Sequence, residues 1–369
     1  MNIEKKLFGK TSSNQDIYEY ILSNKNISAH IIQYGAIIKN LIYKDNDIVL
    51  GYDELSDYED NPNYFGATIG RCANRIEKGL FTINKTHYKL EQNNGENHLH
   101  GGSNGLHKQI WEVIAEQTHT SYAKLVLKLV QKEEYDGYPG NLTIFAIFFL
   151  TQDSLIVNYT YKSDIDSIAN LTAHPYFNLS GEKNILSHKI ILNSKLYTNS
   201  DGYIPSGEIL SAEKTPFDFT NIVQIGENLD KYAKQLSFTR GYDHNFVLNK
   251  KSEYIEFEAL KIPVSNKTDI EEVSDINFIL NGIISNESNS LNILIYSDAP
   301  CFQLYTGNFI DNIKGKYNNI YNKYAGVCIE PQFAPNAINT PNFESTKIFA
   351  NHDYSRNICY KMIENLTKL

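Results

Sequence analysis

Cysteine, methionine and tryptophan are scarce: four, two and one in 369 residues. The four cysteines, Cys72, Cys301, Cys328 and Cys359, show neither paired nor C-x-x-C spacing. That argues against a disulfide framework and for reduced thiols in a cytoplasm. Long apolar runs are missing as well. No stretch approaches the roughly 20 residues that span a bilayer, and the longest, Leu142 to Leu150, is strand-sized. No apolar segment follows the opening MNIEKKLFGK, so no secretory leader is expected. An excess of positive charge is also lacking. The balance of 34 basic and 43 acidic residues gives −9, which disfavours nucleic acid and anionic membrane as partners. Helical spacing is rare. Asn221 to Leu236 is the best helical candidate, with a short helical turn or loop at Asp57 to Tyr64.

What fills the chain is β-type sequence. Aromatic residues make up 12%, mostly Tyr and Phe, which suits half-buried sheet surfaces. Runs of β-branched and aromatic residues recur at Tyr18 to Leu22, Ala36 to Tyr43, Ile48 to Tyr52, Trp111 to Ala115, Ala123 to Val130, Leu142 to Leu150 and Leu155 to Lys162. They resume at Lys189 to Leu196, Leu291 to Tyr296, Cys301 to Tyr305 and Gly326 to Glu330, and Tyr354 to Met362 is expected to close a sheet. Polar turns such as Tyr43 to Asp47 and Asp136 to Gly140 separate them. This spacing predicts an all-β sandwich or barrel. With no internal repeat or linker, one β-domain is the reading for residues 1–369. Residues 249–292 stand out as polar and irregular.

Five stretches concentrate the chemistry. GRCANRI at 70–76 and HLHGG at 98–102 place Asn74, Arg75 and His100 beside glycines that let backbone approach a ligand. HPYFNLSG at 174–181 carries His174 and Tyr176. GYDHNFVL at 241–248 carries Asp243, and GVCIEPQ at 326–332 carries Glu330. The local pattern puts Glu330 with Cys328 on one strand face before Pro331 ends the ladder. On that pattern alone Glu330 is either an exposed strand-end charge or a site residue. His174 beside aromatics is equally compatible with core packing. The H-x-H of His98 and His100 invites a metal reading, but spacing indicates no third or fourth ligand. Asp136 to Gly140 apart, Asx-turn roles also account for Asp243.

Together these stretches resemble the aldose 1-epimerases, the galactose mutarotases, over nearly the whole chain. The resemblance implies a large antiparallel β-sandwich and interconversion of the α and β anomers of free aldohexoses such as galactose and glucose. It implies Glu330 as general base on the C1 hydroxyl and His174 as general acid on the ring oxygen O5, held on opposite sides of the ring. Asn74, Arg75, His100, Tyr176, Asp243 and Gln303 would bind the sugar. No cofactor and no metal are implied. The partner is a small-molecule aldose, with no nucleic acid and no membrane, and the protein is a monomer or homodimer. Arg71 is expected to serve structure by pairing with a carboxylate. Against the family pattern, Pro175 and Asn336 are departures, and the 60 residues between Asp243 and Gln303 locate an insertion within 249–292. A glycosidase would need Asp243 and Glu330 as its carboxylate pair. A sugar-phosphate epimerase would want more cations, and a noncatalytic sugar-binding domain would not need His174 and Glu330.

Overall fold

The computed structural model describes residues 1–368 other than 134, 135, 201, 232, 233, 259, 269 and 289. Among the described residues three antiparallel sheets dominate. The first runs in sequence order through Asn2–Lys10, Asp16–Ser23, Ile27–Ile32, Ile37–Tyr43 and Asn46–Asp47. The second, of ten strands, runs Glu112–Thr118, Ala123–Gln131, Leu142–Leu150, Ser154–Ser163, Tyr354–Ile363, Leu291–Ser297, Phe278–Asn286, Lys189–Leu192 and Val223–Gln224, with Ser265–Asn266 beside Phe278–Asn286. The third orders Pro205–Ser211, Leu196–Ser200, Asp243–Val247, Cys301–Tyr305 and Cys328–Gln332. None of the sheets closes into a barrel. Among the described residues no helix is long and apolar enough to cross a membrane.

One hydrophobic cluster takes side chains from all three sheets: Leu22 and Ile31 from the first, Leu127 and Val157 from the second, Phe302 and Ile329 from the third. Each such fully buried apolar side chain contributes about 1.5–3 kcal/mol relative to exposure. The period of two in each strand then decides which residues are left for the other face. In the third sheet Phe246, Phe302, Leu304 and Ile329 go into the core. Asp243, Asn245, Gln303, Tyr305, Cys328 and Glu330 therefore share the opposite face, and the register aligns Asn245, Gln303 and Glu330 in one row across three strands. Asp243, Tyr305 and Cys328 form the next row.

Several expectations need correction. Pro331 does not end the ladder: it pairs with Phe302, and Gln332 with Cys301. The strand lies at the edge of its sheet, where a missing N–H costs no ladder bond. Lys189 to Leu196 is not one strand but two, Lys189–Leu192 and Leu196–Ser200, in different sheets. Ile48 to Tyr52 holds only an isolated bridge, Val49 to Phe177, and the expected turn before it contains the short strand Asn46–Asp47. The Asn221 to Leu236 candidate resolves into strand Val223–Gln224 and helix Lys234–Thr239, with 232 and 233 outside the described residues. Tyr354–Ile363 lies inside the ten-stranded sheet, not at its closing edge. The first strand, Asn2–Lys10, escaped the sequence reading because it is a largely exposed edge strand that needs no apolar alternation. Within 249–292, which includes the undescribed 259, 269 and 289, two features differ sharply. Tyr254–Phe257 and Leu260–Pro263 form a separate hairpin, whereas every residue of Phe278–Asn286 is buried in the main sheet.

Candidate active site

A cavity of about 300 Å³ opens on the polar face of the third sheet. Asn74, Arg75, His100, His174, Tyr176, Asp243 and Glu330 all line it. Seven of the eight residues singled out in the sequence thus converge on one hollow from five separate stretches of chain. Gln303 does not line it. Its amide Nε2 instead donates to Asp243 Oδ1 at 2.6 Å, so it reaches the cavity through that carboxylate.

Glu330 is 2% exposed and His174 3%. His174 Nε2 lies 3.4 Å from Glu330 Oε1. The two groups are therefore side by side, not on opposite sides of a ring. The His174 ring is stacked on Tyr176 at 4.9 Å and 23° and faces Tyr64 at 6.2 Å and 24°. Its backbone is fixed too, by His174 N–H to the Ala67 carbonyl and Gly66 N–H to the His174 carbonyl. Pro175, which has no N–H to give, leaves both bonds intact.

Burial dominates the electrostatics. It lowers the His174 pKa to about 4, opposed by a hydrogen bond to the residue's own carbonyl. It pushes Glu330 well above the usual carboxylate range, helped by the Asp243 charge and opposed by Arg75. Asp243 is raised by burial and held back by Arg75 and Gln303. Arg75 is thus the cation shared by the Glu330 and Asp243 carboxylates. Its Nε donates to Asn94 Oδ1 at 3.0 Å, and its guanidinium lies 4.4 Å from the Tyr203 ring centroid. Asn336 anchors this strand: its N–H donates to the Arg75 carbonyl and its Oδ1 accepts from Glu77 N–H. The amide side chain present in this chain makes that contact itself.

His100 and Asn74 hold each other. His100 N–H donates to the Asn74 carbonyl at 3.2 Å, and Asn74 N–H donates to His100 Nδ1 at 3.2 Å. Gly101 makes the sharp turn beside them possible; its φ is +91°, and a Cβ would sit 1.8 Å from the Gly70 carbonyl oxygen. His100, His174 and Glu330 have ligating atoms within 4.8 Å of one another, the spacing of a metal site. The hydrogen bond argues otherwise. A metal-bound imidazole donates its second N–H to an acceptor, whereas His100 Nδ1 accepts from an amide, which leaves the proton on Nε2 with no lone pair to offer. His98, the other half of H-x-H, is spent on the Glu91 carbonyl and the Tyr138 hydroxyl, both at 2.7 Å.

Arg71 corrects another expectation. Among the described residues its fully buried guanidinium meets no carboxylate. It donates to Gln131 Oε1, to Ser167 Oγ and to the carbonyls of Gln131, Pro139 and Gly140. Tyr176 also differs from a free donor: its hydroxyl donates to the Asn63 carbonyl at 2.8 Å. The sequence reading missed Tyr64, Asn94, Tyr203, Tyr305 and Phe309 as lining residues. Tyr305 was recoverable, since it stands two positions from Gln303 on the same strand face. Tyr64 and Tyr203 come from loops, which carry no periodic signal.

The open antiparallel sandwich has the galactose mutarotase-like fold, with the buried His174–Glu330 pair under its polar cavity. Residues 18–361 match the family described as aldose 1-epimerase. The galactose mutarotase of Sus scrofa is 32% identical over 365 residues, 96% of this chain and 97% of the relative. That of Homo sapiens is 31% identical, covering 98% of both. Among solved structures, the GalM/aldose epimerase homologue from C. elegans superposes with TM-score 0.80 at 26% identity, over 93% of this chain and 98% of the other. Galactose 1-epimerase from Lactobacillus acidophilus gives 0.82 at 24%, over 98% and 99%, a likeness of fold. The chain belongs to the aldose 1-epimerase family.

Proposed function

We propose that this protein interconverts the α and β anomers of free aldohexoses such as galactose and glucose, with Glu330 as general base and His174 as general acid. The observation that carries this reading is the buried pair 3.4 Å apart at a cavity of about 300 Å³. Glu330 takes the C1 hydroxyl proton as the C1–O5 bond breaks. The electron pair of that bond passes to O5, which takes the proton of His174 Nε2. C1 becomes an aldehyde carbon. Rotation about C1–C2 presents its other face, O5 re-forms the bond and returns its proton to His174, and the carbonyl oxygen recovers the proton from Glu330. The pair holds one proton throughout, on His174 in the closed sugar and on Glu330 in the open one. Burial disfavours the ion pair and mutual attraction favours it, which draws the two states together in energy. Each positioned acid or base contributes about 10²–10⁴ in rate.

Arg75, Asn74, His100 and Asp243 hold the sugar hydroxyls in this reading. Gln303 orients Asp243, and Tyr176 supports the His174 ring. We also propose one domain for residues 1–369, supported by the shared hydrophobic cluster, and a cytoplasmic location, supported by four free, buried cysteines; a monomer or homodimer is the assembly the family resemblance implies. None of the residues lining the cavity falls in 249–292, which favours decoration over a lid for the 254–263 hairpin. Polarimetry on freshly dissolved α-D-galactose and α-D-glucose tests the activity. Faster approach to the same final rotation with protein than with buffer supports it, and equal rates for both sugars overturn it.

A further inference from the structure

Cys328 stands two residues before Glu330 on the same strand face, so both side chains project under the cavity. Its Sγ lies 3.5 Å from His174 Nδ1. The His174 ring therefore has a polar neighbour at each nitrogen: the Glu330 carboxyl at Nε2 and the Cys328 thiol at Nδ1. Tyr176 stacks on the ring at 4.9 Å, and Tyr64 lies nearly parallel to it at 6.2 Å. The thiol is fully buried, and burial raises its pKa well above the ordinary value, so it stays neutral beside the acid–base pair.

We propose that Cys328 is a positioning residue that fixes the tautomer of His174: its sulfur accepts a hydrogen bond from Nδ1–H, leaving Nε2 as the only nitrogen that cycles. A neutral imidazole has one donor and one acceptor nitrogen, and what the first bonds to decides the second. With Nδ1–H retained, Nε2 presents a lone pair toward Glu330 once its proton has gone to O5. It is ready to take that proton back when the ring recloses. If the proton sat instead on Nε2, the neutral ring would meet a protonated Glu330 donor to donor. A carbon in place of the sulfur removes that acceptor. A hydroxyl restores it. This inference rests on the acid–base reading above, so its primary test does not use activity.

The first measurement is the ¹⁵N spectrum of the His174 imidazole in protein labelled at histidine, at neutral pH without sugar, assigned by comparison with His174→Gln. A protonated Nδ1 with an unprotonated Nε2 is the expected pattern. A protonated Nε2 with an unprotonated Nδ1 overturns the proposal whatever the protein's activity. The second is polarimetric kinetics of Cys328→Ala and Cys328→Ser. Loss of one weak acceptor predicts a fall of about threefold to tenfold in kcat for the alanine variant with KM unchanged, and recovery to within about twofold in the serine variant. Wild-type kcat in Cys328→Ala overturns the proposal; should that variant not fold, the wild-type spectrum decides.

Discussion

Glu330→Gln separates the catalytic from the structural worth of a buried carboxyl. The substitution keeps the shape, removes the base and removes a charge that burial and Asp243 both oppose. Activity should fall by about 10²–10⁴, equivalent to about 2.7–5.4 kcal/mol of transition-state stabilisation. Stability should move the other way. A carboxyl whose folded pKa lies above its unfolded value holds its proton in the native state where the unfolded chain has lost it. Its contribution is complete below the unfolded pKa, about 4.3, and is lost as pH rises through the folded pKa. Each pH unit in that window costs about 1.4 kcal/mol. Glutamine does not titrate, so the variant should match wild type near pH 4 and exceed it increasingly toward neutrality. In a chain of this size each kcal/mol is worth about 1 °C in Tm. Polarimetry for kcat and thermal unfolding across pH 4–8 read the two effects. Wild-type kcat in the variant would refute the base assignment. Parallel stability curves would refute the account of burial.

Three further substitutions test individual contacts. Arg71→Met strips five acceptors of their buried donor and should cost about 3 kcal/mol or more in urea unfolding. An unchanged midpoint would show that those bonds contribute nothing net. Gly101→Ala forces a Cβ into the Gly70 carbonyl; KM should rise as His100 is displaced, and a wild-type KM would contradict that coupling. Tyr176→Phe loses only the bond to the Asn63 carbonyl, so KM should hold within about twofold while stability drops by about 1 kcal/mol. A large KM increase would mean that the hydroxyl touches the sugar.

The site was legible in the chain because each of its residues sits in a short, distinctive run, and the period of two already put Cys328 and Glu330 on one face. What could not be read was mutual position. Nothing local says that the Glu330 strand pairs with Cys301–Tyr305, which makes Gln303 a neighbour of Asp243. Nor does it say that Arg71 reaches backbone carbonyls some 60 to 70 residues away. The split of Lys189 to Leu196 between two sheets failed for the same reason, since one apolar run is compatible with either partner until the fold chooses. Pro331 was misread because edge and interior strands look alike until their neighbours are known.

The strand Tyr354–Ile363 joins Ser154–Ser163 on one side to Leu291–Ser297 on the other. It is translated after both. Until it emerges, the large sheet exists as two halves, each ending in an open row of unpaired N–H and C=O groups. Such edges invite pairing with other chains, and contacts this distant in sequence form slowly. The hazard of misassembly thus lasts until this strand is made, while the widest sheet still lacks its middle.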